Sequence, residues 1–336
     1  NCGLPYHIGD VIAEFNDLLV ASINNFACRL KIDVRTFSEV TKINKEVKSV
    51  CYRDLTTGND YETDYDYLVL SPGASPIKPE LPGFDSDRVF TLRSIPDAQK
   101  IRELIEESEF SDINPLHCVV IGGGFVGVEV AENLVHRGMQ VTIIEGQSHI
   151  FPGVLDDEMS NTVEYHLKSR GINIVSGDAF THFEDSEGGL IAHTENGKRL
   201  PSTFAVIAVG VKPEAQLAED AGLELGLGGS IKVDEYMQTS DPNIYACGDV
   251  CEVKNFVTKQ PSLVPLAGPA NRQGRLVGDN IAGKIKRKSR GVQGTCVCGL
   301  FDMTLAATGC SERHLNEAGI PFKSIYLHPL HHVKYY

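Results

Sequence analysis

The feature that most constrains this chain is Gly122-Gly123-Gly124-Phe125-Val126-Gly127, a Gly-x-Gly-x-x-Gly stretch between an apolar run, Cys118 to Ile121, and a helix-like segment, Val128 to His136. A second apolar run, Val141 to Glu145, follows. Strand, glycine turn, helix and strand in that order specify a βαβ unit with a right-handed crossover. Small residues let the turn close, let a pyrophosphate approach the backbone and let the helix lie against the strand, while the helix N-terminus offers positive potential. Glu145 stands 23 positions after Gly122 at the end of the second strand, where a carboxylate can accept both hydroxyls of an adenosine ribose. The expected dinucleotide site is therefore Gly122, Gly124, Gly127 and Glu145. A carboxylate there repels a 2′-phosphate, which favours NADH over NADPH, and Arg137 and His149 are the cations that would soften that preference.

A chain of 336 residues has room for two or three packed units. Residues 1 to 93 read as alternating strand and helix material that closes on Asp66-Tyr67-Leu68-Val69-Leu70-Ser71-Pro72-Gly73, where Pro-Gly is a strong stop. A polar connection follows, with helical apolar spacing from Pro96 to Ser108. After the βαβ unit come a helix, about Asp156 to Ser169, a strand, Ile172 to Val175, a polar hairpin around Glu187-Gly188-Gly189, and a buried strand, Phe204 to Val211. Beyond Lys212-Pro213 the sequence predicts extended segments at Ile231 to Asp234 and Pro242 to Ala246, and a helix from near Pro269. The basic stretch Lys284 to Arg290 reads as a solvated boundary before a strand-rich segment that starts near Gly291.

Lys plus Arg total 31 and Asp plus Glu 45, a net charge of -14 that repels polyanions, so nucleic acid is not expected as a partner. The longest apolar or glycine run, Cys118 to Val128, has eleven residues, short of the about 20 that span a bilayer. No export signal opens at Asn1, and nine scattered cysteines, an odd number, suit reduced thiols in the cytosol better than a secreted disulfide scaffold.

Other residues carry chemistry with alternatives open. In Tyr245-Ala246-Cys247-Gly248-Asp249 a carboxylate after a glycine at a strand end suits a polyhydroxyl chain, or makes an ordinary turn. Ser71-Pro72-Gly73-Ala74 presents backbone N–H groups that face a ligand or simply reverse the chain. Cys2 precedes Gly3-Leu4-Pro5-Tyr6, and Pro5 suits a first helical turn, so the thiol is either a nucleophile favoured by the helix start or a buried, inert one. No Cys-x-x-Cys accompanies it, so its redox work would need an outside sulfur or a single-cysteine oxidation state. Cys247 with Cys251, Cys296 with Cys298, and His328, His331 and His332 match no closed tetrahedral template, and no metal is expected. Cys296 and Cys298 would share a face only on a strand.

The chain resembles the flavin-dependent pyridine nucleotide-disulfide oxidoreductases, in the single-cysteine branch that holds coenzyme A-disulfide reductase, NADH oxidase and NADH peroxidase. The resemblance rests on Asn1-Cys2-Gly3-Leu4-Pro5-Tyr6, Leu70-Ser71-Pro72-Gly73-Ala74, the glycine loop with Glu129, Ala208 to Pro213, Tyr245 to Asp249, and Pro265 to Arg275. It implies an α/β fold of two Rossmann-like domains, one inserted in the other, followed by the start of an α+β dimerisation domain. The implied divisions are 1–95 and 216–290 for FAD, 96–215 for NAD(P), and 291–336 for the dimer interface. Cys2 would be the redox thiol, Asp249 with Gly248 the ligand of the flavin ribityl chain, and Ser71 with Gly73 a flavin-side turn. Ala267 and Ala270 would lie near the isoalloxazine, Glu129 near the nicotinamide, and Gly210 along its groove.

By that resemblance the protein is an FAD-dependent, NADH- or NADPH-using disulfide reductase. Coenzyme A disulfide or another low-molecular-weight disulfide would be its substrate, and the full-length protein would be a homodimer. NADH oxidase or NADH peroxidase is the alternative, and an NAD-binding module without flavin a third reading. The departures point to a fragment missing both ends: no flavin glycine loop precedes Asn1, and the interface domain of the family continues past the position of Tyr336. His7 stands where the reductase motif tends to carry tyrosine or another bulky residue, and Cys296 and Cys298 where ordinary strand residues are expected.

Overall fold

A computed structural model of the chain describes residues 2–109, 116–283 and 286–329. Asn1, residues 110–115 of the connection, Lys284 and Ile285 of the basic stretch, and His331 and His332 lie outside the described residues. The helices are α1 (Leu4–Ile8), α2 (Ile23–Leu30), α3 (Ile95–Glu109), α4 (Phe125–His136), α5 (Asp157–Ser169), α6 (Gln216–Asp220), α7 (Ala267–Ile281) and α8 (Glu312–Glu317). No helix among the described residues is long and apolar enough to cross a membrane.

The glycine loop belongs to a five-stranded parallel sheet ordered Val89–Thr91, Phe204–Ile207, His117–Ile121, Gln140–Glu145 and Ile172–Ser176. Its central strands are apolar at nearly every position because both faces are covered. On one face Val120 and Ile143 pack with Val128 and Leu134 of α4, Ile101 of α3 and Leu167 of α5. On the other, Val119, Ile121, Ile144 and Ile207 meet Phe183, Leu190 and Ala192 of an antiparallel meander, Phe180–Ser186, Gly189–Thr194 and Arg199–Ser202. Leu4 and Ile8 of α1 are buried with the helical face, and a side chain on Gly9 would sit 2.7 Å from Asn133 Cβ of α4.

A second core gathers Ile43, Val50, Leu70, Ala218, Ile231, Ile244, Ala246, Val250 and Val277. Its parallel pair, Leu68–Leu70 beside Ile244–Ala246, puts the Ser71 and Cys247 ends next to each other, and Cys247 N–H donates to Leu70 O at 3.0 Å. The chain leaves for the five-stranded sheet and returns from it through Ala74–Pro76 and Val211–Pro213, which pair antiparallel. The C-terminal hairpin, Cys296–Leu300 and Met303–Ala307, lies against α4 and α5: His166 Nε2 is 3.0 Å from Leu300 O, and Arg170 pairs with Asp302.

Three expectations need correcting. The helix starts at Phe125 rather than Val128, with Gly124 as its N-cap, because Gly127 is where helix and turn touch: a Cβ there would strike Gly122 O. The strand expected from Phe204 to Val211 is two strands, because Gly210 at φ 118° turns the chain between them. Ile231 to Asp234 forms no strand; Ile231 makes single bridges with Leu225 and Cys251.

Candidate active site

The nucleotide cradle is built from backbone. Gly122, at φ 108°, lies so close to the strand end that a side chain would meet the Ala208 carbonyl. Beside Gly124 the space is open, and no side chain caps α4, so its first amides are free to meet an anion. Glu145, 9% exposed, accepts the Gly123 N–H on Oε2 and the Gln147 N–H on Oε1, both at 2.8 Å. The carboxylate thus ties loop and second strand together as the spacing requires. Of the two basic residues that would favour a phosphate, Arg137 is 3.4 Å from Asp10, and His149 is 3.5 Å from Glu164.

A second cradle forms at the paired ends of the Leu68–Leu70 and Ile244–Ala246 strands. Gly73 (φ 77°) and Gly248 (φ 85°) both hold left-handed backbone, and a Cβ on either would meet nothing nearer than 3.9 Å. Asp249 beside them is half-buried, and its carboxylate accepts no hydrogen bond from the described residues. Burial pushes that carboxyl up, against the charge of Arg93. A desolvated carboxylate that accepts no hydrogen bond from the described residues, beside an open glycine turn, fits the hydroxyls of a ribityl chain. The first turn of α7 closes the site: a Cβ on Gly248 would first meet Ala270, at 3.9 Å, and Ala267 opens the helix.

Two residues to which the sequence analysis assigned no role hold this cradle. Gln273, 6% exposed on α7, accepts the Gly248 N–H at 2.8 Å. Arg93, just before α3, donates to Pro72 O at 3.0 Å and to Ser75 Oγ, and lies 3.5 Å from Glu214. It pins the Ser71 to Gly73 turn to both crossing segments. Gln273 lies in the quoted Pro265 to Arg275 block, but only the contact identifies its role.

Cys2 is exposed in the turn before α1, whose N-cap is Gly3 and whose first turn holds Pro5. No hydrogen bond among the described residues joins it to Ser71, Gly73 or Asp249. Its helix packs on α3 and α4 instead. Tyr6, on the same helix, is pushed up by burial and by Glu129, Cys298, Glu132 and Cys2 around it. His7 is 4% exposed, with Nδ1 2.7 Å from Ile12 O and its carbonyl taken by Arg102, so this departure from the motif is a packed polar contact. Glu129, on α4, accepts the thiol of Cys298 at 3.6 Å. Gly210 accepts the Ile77 N–H at 3.0 Å beside the crossing strands. Each of the nine cysteines is unpaired. Cys296 and Cys298 face the same side of the hairpin, with Val297 between them 69% exposed.

The family model described as pyridine nucleotide-disulphide oxidoreductase matches residues 2–274. An NADH oxidase of Methanocaldococcus jannaschii is 33% identical over 320 residues, 95% of this chain and 69% of that protein. A coenzyme A disulfide reductase of Staphylococcus aureus is 32% identical over 336 residues, 100% of this chain and 73% of its own length. The crystal structure of reduced Bacillus anthracis CoADR-RHD superposes with a TM-score of 0.91 at 44% identity, covering 95% of this chain and 56% of that one.

Proposed function

Because the chain belongs to the pyridine nucleotide-disulphide oxidoreductase family, we propose that it is the core of an FAD-dependent NAD(P)H:disulfide oxidoreductase acting on coenzyme A disulfide or a similar small disulfide, with NADH preferred. The observation that carries this reading is Asp249: a half-buried carboxylate that accepts no hydrogen bond from the described residues, next to a glycine turn, in a chain that also carries the Gly122 to Glu145 cradle. The similarity to the staphylococcal coenzyme A disulfide reductase supports the substrate.

In this reading Glu145 and the first amides of α4 hold the NADH adenosine and pyrophosphate, and Asp249, Gly248, Gly73 and Ser71 hold the flavin from the other core. When bound, nicotinamide and flavin supply the hydride and the two-electron relay that side chains lack. The protein's own redox group is Cys2. Its thiolate attacks one sulfur of the substrate, RSSR, forming Cys2–S–S–R and expelling RS⁻, which takes a proton from solvent. Two electrons and one proton then cleave the mixed disulfide, returning the Cys2 thiolate and releasing the second RSH. An exposed Cys2 leaves room for a bulky thiol substrate. We assign 1–95 and 216–290 to the flavin side, 96–215 to the nucleotide side and 291–336 to the start of a homodimer interface.

The competing reading, NADH oxidase or peroxidase, is favoured by the archaeal relative and uses Cys2 as a thiol/sulfenic acid centre. Steady-state NADH oxidation by flavin-loaded protein, with and without coenzyme A disulfide and with oxygen consumption followed in parallel, separates them. Stimulation by the disulfide that is lost in Cys2→Ser supports the reductase. No stimulation, with rapid oxygen uptake, overturns it.

A further inference from the structure

The contact between α4 and the C-terminal hairpin is polar where packing alone would be apolar. Cys298 donates its S–H to Glu129 Oε1 at 3.6 Å, and one turn on Phe301 N–H donates to Glu132 Oε1 at 2.6 Å. Glu132 Oε2 is buried with no hydrogen-bond partner among the described residues. Cys298 is only 3% exposed, and burial pushes its thiol up, so the sulfur is a protonated donor rather than a nucleophile. Strand alternation explains how it arrives there: Val297 points to solvent and Cys298 to α4.

We propose that Cys298 is a positioning residue for Glu129, its S–H fixing that carboxylate on the glycine-loop helix as a hydrogen-bonded acceptor. The inference rests on the reductase reading, in which Glu129 lies beside the nicotinamide. Burial pushes the Glu129 carboxyl up, the Cys298 hydrogen bond opposes that, and the charge of Glu132 reinforces it. The ionisable groups facing Glu129 are Tyr6 from α1, Cys298 from the hairpin and Glu132 from its own helix. Glu145, at the end of the strand beneath, is turned to Gly123, and His7 of α1 to Ile12. The thiol is therefore a donor that works against the burial and the Glu132 charge acting on this half-buried carboxyl.

Carboxyl-carbon NMR titration of glutamate-labelled full chain, with the Glu129 signal assigned through Glu129→Gln, tests this without turnover. Cys298→Val keeps the volume and removes the donor, and should raise the Glu129 midpoint by about one pH unit. Cys298→Ser restores a donor and should leave the midpoint at or below that of the unaltered chain. An unchanged midpoint in Cys298→Val overturns the proposal, as does an equal rise in Val and Ser, which would mark a packing effect. Should Cys298→Val not fold, Cys298→Ala reads the same loss of donor. A midpoint shift seen in protein that does not respond to coenzyme A disulfide supports the contact while the reductase reading falls.

Discussion

Gln273 Oε1 accepts the Gly248 N–H at 2.8 Å, so a side chain from the second turn of α7 holds the backbone that presents Asp249. Because Gln273 is 6% exposed, replacing it by leucine leaves the amide without an acceptor in a place water reaches poorly. Such a loss costs about 1–3 kcal/mol. Gln273→Leu is therefore expected to lower the thermal midpoint and to reduce flavin retained per chain after gel filtration. A variant with unaltered midpoint and flavin content would remove Gln273 from the site.

Two glycines of one loop should fail in different ways. A Cβ on Gly127 would strike Gly122 O, backbone that cannot move without parting helix from strand, whereas a Cβ on Gly124 meets nothing within 4 Å. Overpacking of this kind costs roughly 1–3 kcal/mol. Gly127→Ala should melt earlier than the unaltered chain. Gly124→Ala should melt like the unaltered chain but bind NADH more weakly, since in the proposed reading its methyl group fills the space that the pyrophosphate would take. Calorimetry and NADH fluorescence titration on both variants check the contrast, which fails if Gly124→Ala binds NADH normally.

How much of this was legible in the sequence follows from which contacts are local. The glycine loop, α4 and Glu145 are close in sequence, and glycine's small size and the spacing to a carboxylate carry the geometry, so that cradle could be read directly. Only the helix start was misplaced, because Gly127 looks like turn material although it belongs to the helix. From their own residues the Gly73 and Asp249 turns were legible only as turns, and it was the family resemblance that set both beside the flavin. Their union depends on the parallel pairing of Leu68–Leu70 with Ile244–Ala246, far apart in the chain. Arg93, Gln273 and the Glu129–Cys298 contact were given no role, since each acts through a partner that no local periodicity announces. Cys298 was noticed only as an unusual strand residue and, with Cys296, as a pair that fits no metal template.

Glu145 stabilises its loop, and in the proposed reading the same carboxylate accepts the ribose hydroxyls. Replacement by alanine strands the Gly123 and Gln147 amides and removes the acceptor for the ribose hydroxyls. Hydrogen bonds to a charged group are worth about 1.5–3 kcal/mol, so the NADH dissociation constant should rise roughly 10- to 100-fold. The NADPH constant should change less, since the repulsion against a 2′-phosphate leaves with the carboxylate. Parallel fluorescence titrations with the two nucleotides test this, and an equal loss for both would deny Glu145 a part in nucleotide selection.

Asp249 should show a cost in the flavin-free chain that depends on pH. Burial holds its carboxyl above the ordinary aspartate range, which means the folded state binds this proton more tightly than the unfolded state does. The group then favours folding at low pH, where it is neutral in both states, and that contribution is lost as pH rises through the folded value. Asp249→Asn stays neutral throughout. Flavin-free Asp249→Asn is therefore expected to be more stable than the unaltered chain at pH 7, with the gap closing on acidification through about pH 4, where a free aspartate takes up its proton. The same variant should bind flavin more weakly, because an amide oxygen is a poorer acceptor for ribityl hydroxyls than a carboxylate. Denaturant unfolding across pH, paired with flavin titration, separates the two effects. A gap that widens toward low pH would show the Asp249 carboxylate to be stabilised by the fold, and its place as a ligand group with no hydrogen bond from the described residues would have to be given up.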